Sequence, residues 1–431
     1  MSRSLCVATC LLMLAAPVTM SSSAHAAEFK WATQGEAQTL DPHGTTEFQT
    51  MAFIGNIYEP LVRRDKDLKL EPALAESWQV VSPTVWRFNL RKGVTFHDGS
   101  PFTADDVIAT LERSRTPGAD AKTKVQSVAD IKKIDDYTIE VITHGPAPIL
   151  LSEFSDWFMT SKAWCEKNDT KQVADVRKGA ENYATRNANG TGPFKLVSRE
   201  PDVRTVLAVN EKWWDKPQHN VTRATFMPIS NSATRMAALL SGEIDFALPV
   251  PTQDIKRLSA DSNIQVIQST EARVIFLGFD HKRDELLYGS VKDKNPFKDI
   301  RVRKAFNQAV DVNAIVSKIM DGAAAARGSL IVRQMKGYSA DLDKRAPYDP
   351  AAAKKLLAEA GYPDGFTVTL DCPNDRYVND EAVCVAAACA YRWPRWPEPG
   401  SRGRWRCTSA ASRWSPTWSS AGSRRSSPMR G

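Results

Sequence analysis

The sequence predicts an α/β protein built from several separate sheets, and three stretches carry that prediction. In "VWRFNL", Trp86, Phe88 and Leu90 alternate with polar neighbours, the period of a strand buried on one face. Residues 224–250, "ATFMPISNSATRMAALLSGEIDFALPV", read as strand, capped helix, Ser-Gly stop and strand, a βαβ-like unit. In "YDPAAAKKLLAEAGYPDGFTVTLDC", Asp349 caps a helix, Pro350 takes its first position, and Leu356 and Leu357 face inward. Gly361 and Pro363 stop it, and Phe366, Val368 and Leu370 then alternate as a strand.

Taken in order, the chain opens on a targeting segment. Arg3 supplies a basic start, Leu5 to Met20 an apolar run too short to span a bilayer, and Ala24-His25-Ala26 a cleavage site, so residues 1–26 are expected to be a signal peptide. The product is expected to be exported and periplasmic. "WATQGEAQTLDPHG" reads as a short strand, a loop around Gly35 and a turn at Asp41-Pro42. "FQTMAFIGNIYEPLVRRD" reads as a helix with Met51, Ile54 and Tyr58 on one face. Asp98-Gly99 makes a tight turn. Thr103 is placed to cap a helix with Asp105 and Asp106 in its positive first turn and Val107, Ile108 and Leu111 as its core stripe. His97 and Asp98 invite a catalytic or metal role, but one His and one turn Asp make no ligand set, and turn and cap are the better reading. "KDIRVRKAFNQAVDVNAIVSKIMDG" gives two helices in series. Val302, Phe306 and Ala309 line the first, and Val312, Ile315 and Ile319 the second, which Asp311 caps and Gly322 ends.

A chain of 431 residues suggests two or three domains. Its formal charge of +7 is uneven. Nine Arg, no Lys and one acidic residue, Glu398, lie from Ala390 to the end, which leaves 48 basic and 49 acidic residues before it. The body is neutral, which removes most of the case for nucleic acid or an anionic membrane as its partner. No GxSxG, HExxH, phosphate loop or dinucleotide fingerprint occurs, so no enzyme is indicated. The six His are scattered and no CxxC is present, so no metal or other cofactor is expected. Of the seven cysteines, Cys165, Cys372, Cys384 and Cys389 fall in the mature body. In an oxidising compartment Cys372 and Cys384 can close a small loop, worth roughly 2–4 kcal/mol, or remain free thiols.

The blocks "IYEPLVRRDKDLKLEPALAESWQV", "WRFNLRKGVTFHDGSPFTADDV", "NGTGPFKL", "NEKWWDKP", "RMAALLSGEIDFA", "RVRKAFNQAVDVNAIV" and "YDPAAAKKLLAEAGY" stand in the order and spacing of one family. The chain resembles the extracytoplasmic solute-binding proteins of peptide and nickel ABC importers, the dipeptide- and oligopeptide-binding type, from about Glu28 to Ala387. The resemblance implies a two-lobed periplasmic-binding-protein clamshell with an extra subdomain in lobe I. Residues 27–70 and 183–269 would form the ligand-facing part of lobe I, 71–182 the extra subdomain, and 270–389 a partial lobe II. It also implies capture of peptides or peptide-like solutes by lobe closure and delivery to the membrane permease, by a monomer that meets the membrane only through that permease. A nickel- or haem-binding member of the same fold is the alternative.

Contact candidates follow from position. Thr33, Gln34 and Gly35 end the first strand; Thr191, Gly192 and Pro193 form a Gly-punctuated turn; Asn374, Asp375, Arg376 and Tyr377 end the last strand. Arg376 suits a ligand carboxylate and Asp375 an amine. In peptide-binding members, an Asp that pairs with the ligand's amine lies in a Trp-containing motif farther downstream, and no residue here matches it.

From Ala390 on, 42 residues contain no Leu, Ile, Val, Phe, Lys, Asp, Asn or Gln, a composition that builds no core. Residues 390–431 read as a frameshifted, non-native or disordered tail, with the shift near residue 388 and lobe II left incomplete. A chain truncated in this way would be poorly soluble and bind no ligand. DNA sequencing across the codons near Ala388 is expected to find a single-base shift that restores the family's downstream blocks, and the absence of such a shift contradicts this reading.

Overall fold

The structure is a computed structural model that describes residues 27–390, except 270–272, 334, 336 and 373–378. The expected signal peptide, the candidates Asn374, Asp375, Arg376 and Tyr377, and the tail beyond Ala390 lie outside the described residues.

Strand β1 (Ala27–Thr33) leads through a buried loop to helix α1 (Phe48–Ile54), and β2 (Val62–Arg64) and β3 (Leu70–Pro72) form a short antiparallel pair. The periodicity through Tyr58 predicted a longer helix, but α1 stops at Gly55. The carbonyls of Asn56 and Ile57 instead accept the N–H groups of Phe194 and Gly192, at 3.0 and 2.9 Å. A backbone contact far away in sequence overrides the local signal.

Next come β4 (Ala75–Ser82), β5 (Val85–Leu90), helix α2 (Ala104–Ser114), β6 (Val128–Asp135) and β7 (Thr138–Thr143). The four strands make an antiparallel sheet in the order β4-β5-β7-β6. Phe88 and Leu90 point into its core and Trp86 packs at the edge, as the alternation in β5 requires. Helix α2 begins as read. The Asp106 carboxylate accepts the Thr103 N–H at 2.9 Å, and Val107 and Leu111 are buried, each worth roughly 1.5–3 kcal/mol. Helices α3 (Leu150–Phe154), α4 (Lys162–Lys167) and α5 (Tyr183–Arg186) close this unit, with Phe154 and Trp157 filling the core beside Phe88.

Strands β8 (Phe194–Glu200), β9 (Arg204–Val209) and β10 (Val221–Pro228), helix α6 (Ser232–Leu240), β11 (Phe246–Leu248) and helix α7 (Thr252–Ser259) return the chain to β1. The resulting five-stranded sheet runs β11-β1-β10-β9-β8, with β1 parallel to both neighbours and β8-β9-β10 antiparallel. The βαβ unit read in residues 224–250 is β10-α6-β11, which straddles β1. Its helix is capped by Asn231, whose side chain accepts the Thr234 N–H at 2.9 Å, and Gly242 ends the turn after the helix at φ +74°.

Beyond residue 270 the elements are α8 (Ile300–Ala309), α9 (Val312–Lys318), α10 (Pro350–Glu359) and α11 (Asp380–Ala390). Asp311 and Asp349 cap α9 and α10 through the N–H groups of Ala314 and Ala352. Phe297, Val302 and Phe306 form a small core with Phe366 and Val368 partly covered against it. Val312, Ile315 and Ile319, the stripe read for α9, are half-buried while Asn313, Ser317 and Lys318 are exposed. One expectation fails here. The strand read at Phe366 to Leu370 makes only an isolated bridge, Gly289 to Val368. A strand exists by pairing, and no sheet forms among the described residues after 270.

Candidate functional site

Several of the sequence blocks meet at one joint. The Glu59 carboxylate is buried between the four-stranded and five-stranded units. It accepts the indole N–H of Trp213 on Oε1 at 3.0 Å, and the indole N–H of Trp214 and the Thr191 hydroxyl on Oε2 at 2.9 and 2.8 Å. Burial pushes this carboxyl up, and the three donors pull it part of the way back. The Arg91 guanidinium lies 4.0 Å from the Trp214 ring centre on the outer side. Beside it, His97 Nδ1 accepts the Gly190 N–H, so its Nε2–H donates to the Gly192 carbonyl at 3.0 Å. Burial lowers the His97 pKa to about 4. Asp98 exchanges two hydrogen bonds with Asn189, both at 3.0 Å. A Cβ at Gly190 would stand 2.0 Å from the Ile57 carbonyl oxygen, so only glycine lets the backbones approach this closely. His97 and Asp98 therefore do more than form a turn: they weld the four-stranded unit to the five-stranded one.

A cavity of about 2560 Å³ lies elsewhere. One wall comes from the five-stranded sheet and α1, with Phe29, Trp31, Phe53 and Phe226 as a packed aromatic band. The facing wall comes from residues 273–288 and from α8, α9 and α11. Polar groups enter at the carboxyl end of β1, the kind of strand end at which ligands of open α/β sheets bind. There Thr33 and Gln34 reach the cavity. The Thr33 hydroxyl donates to the Gly35 carbonyl at 2.6 Å, and Gln49 of α1 donates through Nε2 to Thr33 Oγ1 at 2.8 Å and to the Gly35 carbonyl at 2.5 Å. Behind the wall, the buried Arg235 guanidinium donates to the carbonyls of Ile229 and Ser230, after β10, and of Pro249, after β11. These bonds fix the strand exits.

The contact candidates thus separate. Thr33 and Gln34 line the cavity, and Gly35 sits against Gln49. Thr191, Gly192 and Pro193 are away from it: Thr191 is 1% exposed and bonded to Glu59, and Gly192 is bonded to Ile57 and His97. Gln49 was not legible in the sequence, because a glutamine in a short helix carries no local signal. Cys372 and Cys384 are joined in a disulfide, with Cα atoms 6.0 Å apart, and Cys384 and its neighbour Val383 line the cavity. Cys165 is a buried free thiol. Among the described residues no group of three His, Cys, Asp or Glu could hold a metal ion, and no helix is long and apolar enough to cross a membrane.

Residues 69–390 match the bacterial extracellular solute-binding proteins, family 5, in its middle region. The chain is 29% identical over 334 residues to the heme-binding protein A of Haemophilus influenzae, covering 72% of this chain and 57% of that protein. It is 28% identical over 337 residues to the glutathione-binding protein of Escherichia coli, covering 77% and 61%. It therefore spans about three fifths of the length of these curated relatives. Among solved structures, a periplasmic binding protein from Helicobacter pylori in complex with the peptide STSA superposes with a TM-score of 0.68. That match has 27% identity and covers 85% of this chain and 72% of that one.

Proposed function

Since the chain belongs to the bacterial extracellular solute-binding proteins of family 5, we propose that it captures a peptide or peptide-like solute between its two halves, in the periplasm, and delivers it to the permease of an ABC importer. The observation that carries this reading is the polar exit of β1, Thr33 to Gly35, opening on a cavity whose other wall belongs to the second half of the chain. A solute touching both walls binds the closed arrangement better than the open one, and that difference drives closure. Backbone donors and acceptors at a strand exit bind an extended peptide with little regard to its side chains. A bound glutathione or tetrapeptide, as in two of the relatives' names, is of this chemical class.

Thermal-shift measurements of the full chain with tripeptides, tetrapeptides, glutathione, nickel and haem test the assignment. A ligand at a hundred times its Kd adds about 2.7 kcal/mol, so the peptides are expected to raise the melting temperature by several degrees. A shift with nickel alone or haem alone overturns the peptide reading.

One observation favours a second reading, a truncated product with an open second half. The cavity greatly exceeds the roughly 300–1,000 Å³ of a small-molecule pocket. Its far wall leaves Phe276, Leu287, Tyr288 and Leu330 at least 60% exposed, an apolar surface that soluble proteins cover. On this reading the full chain binds the dye ANS strongly and no peptide suppresses it; suppression by peptide favours the first.

A further inference from the structure

We propose that Gln49 is a positioning residue that holds the β1 exit loop in a ligand-ready form, so that the loop's free N–H groups take the carbonyl or carboxylate oxygens of the solute. This rests on the solute-capture reading given above and adds to it a seat and a chemical class.

The Gln49 carboxamide nitrogen sits on the loop, within donating distance of both Thr33 Oγ1 and the Gly35 carbonyl. The Thr33 hydroxyl adds a second donor to that same carbonyl. With the Gly35 carbonyl turned toward these donors, the backbone beside it is left rich in free donors: the N–H groups of Gly35, Glu36 and Ala37 bond to no acceptor among the described residues. Ala37 is only 4% exposed and lines the cavity, so its N–H lies beside the space a solute would fill. A buried N–H without a partner is costly, and consecutive free N–H groups in a turn attract anionic or carbonyl oxygen. The loop is also held from behind. Arg199 of β8 donates to the Ala37 carbonyl and pairs with Glu36, and Thr50 Oγ1 accepts the Gln38 N–H at 3.0 Å. At Gly35 a Cβ would lie 3.1 Å from Gln49 Oε1, so the carboxamide packs directly on the loop backbone. The solute acceptors therefore meet donors already in place, and less ordering cost falls on binding.

The test uses the full chain and the variant Gln49→Leu, which keeps the side-chain bulk and removes both hydrogen bonds. Hydrogen exchange followed by mass spectrometry reads the loop without any ligand. Exchange of the Gln38 N–H, which ties the loop to Thr50, is expected to rise about tenfold or more, the loss of one to two net hydrogen bonds, with the melting temperature nearly unchanged. Affinity for a tripeptide with a free carboxylate is expected to fall by about tenfold, and the same peptide amidated at its C-terminus is expected to lose less. Unchanged exchange overturns the positioning role. Faster exchange with unchanged affinity overturns the seat. Faster exchange in the variant of a chain that binds no peptide leaves the positioning role standing and overturns the peptide reading instead.

Discussion

Replacing Arg113 with Met lowers the stability of the fold by about 3–5 kcal/mol, because it leaves a buried carboxylate without its counter-charge. Arg113 is 3% exposed and Asp41 1%. The guanidinium donates to both Asp41 oxygens, at 2.7 and 2.6 Å, to the Thr170 carbonyl at 2.8 Å and to His43 Nδ1 at 2.8 Å. Burial alone would raise the Asp41 pKa, but the Arg113 charge and hydrogen bonds hold it below the usual value. The same contacts raise that of Arg113 against its burial. This cluster joins the loop after β1 to α2 and to the chain around Phe158 and Thr170, so its loss loosens both units at once. Chemical unfolding followed by circular dichroism is expected to show the loss, and the paired variant Asp41→Asn, Arg113→Met is expected to lose less than the sum of its singles, since neither charge is then stranded. A single-variant loss below about 1 kcal/mol, the worth of an exposed pair, contradicts the arrangement.

Acid weakens the fold between about pH 6.5 and pH 4. His43 is fully buried: its Nδ1 accepts from Arg113 and its Nε2–H donates to the Phe158 carbonyl at 2.9 Å. Burial first, and then the Arg113 charge, lower its pKa to about 4, and burial lowers that of His97 to about 4 as well. The unfolded chain takes up these protons near pH 6.5 and the folded chain only near pH 4. In that window the unfolded state binds more protons, so stability is fully present above about pH 6.5 and falls as the pH drops toward about 4. A separation of about 2.5 pH units amounts to about 3 kcal/mol for each histidine. Glu59, whose pKa is raised, protonates earlier in the folded state and works in the opposite sense, which reduces the slope. Urea unfolding from about pH 4.5 to about pH 7.5, which brackets most of that window, measures the effect, and His97→Asn is expected to flatten it. A stability that is level or rises on acidification contradicts the buried, neutral state of both rings.

Features that depend on neighbours in sequence were legible. The Thr103 and Asp349 caps, Pro350 at the first helical turn, the alternation in β5 and the β10-α6-β11 unit all follow from local propensity and period. What depends on distant partners was not. Tyr58 lies on no helix because backbone from residues 190–194 claims the turn before it. Phe366 to Leu370 has strand chemistry but lacks a partner strand. The turn "TGP" reads as suited to a ligand because glycine permits close approach, and in the structure that approach is to the Ile57 carbonyl. Of the candidate site, Thr33 and Gln34 were found from strand-end position alone, whereas Gln49 becomes visible only when α1 packs on that strand end.

The most direct test of the account is where a bound solute touches the chain. A tripeptide carrying a photoreactive benzophenone side chain, cross-linked to the full chain and mapped by mass spectrometry, is predicted to label residues 31–53 on one wall and 273–288 on the other, and excess unmodified peptide to suppress both. Labelling confined to the four-stranded unit, residues 75–143, or labelling that excess peptide leaves unchanged, contradicts capture between the two halves.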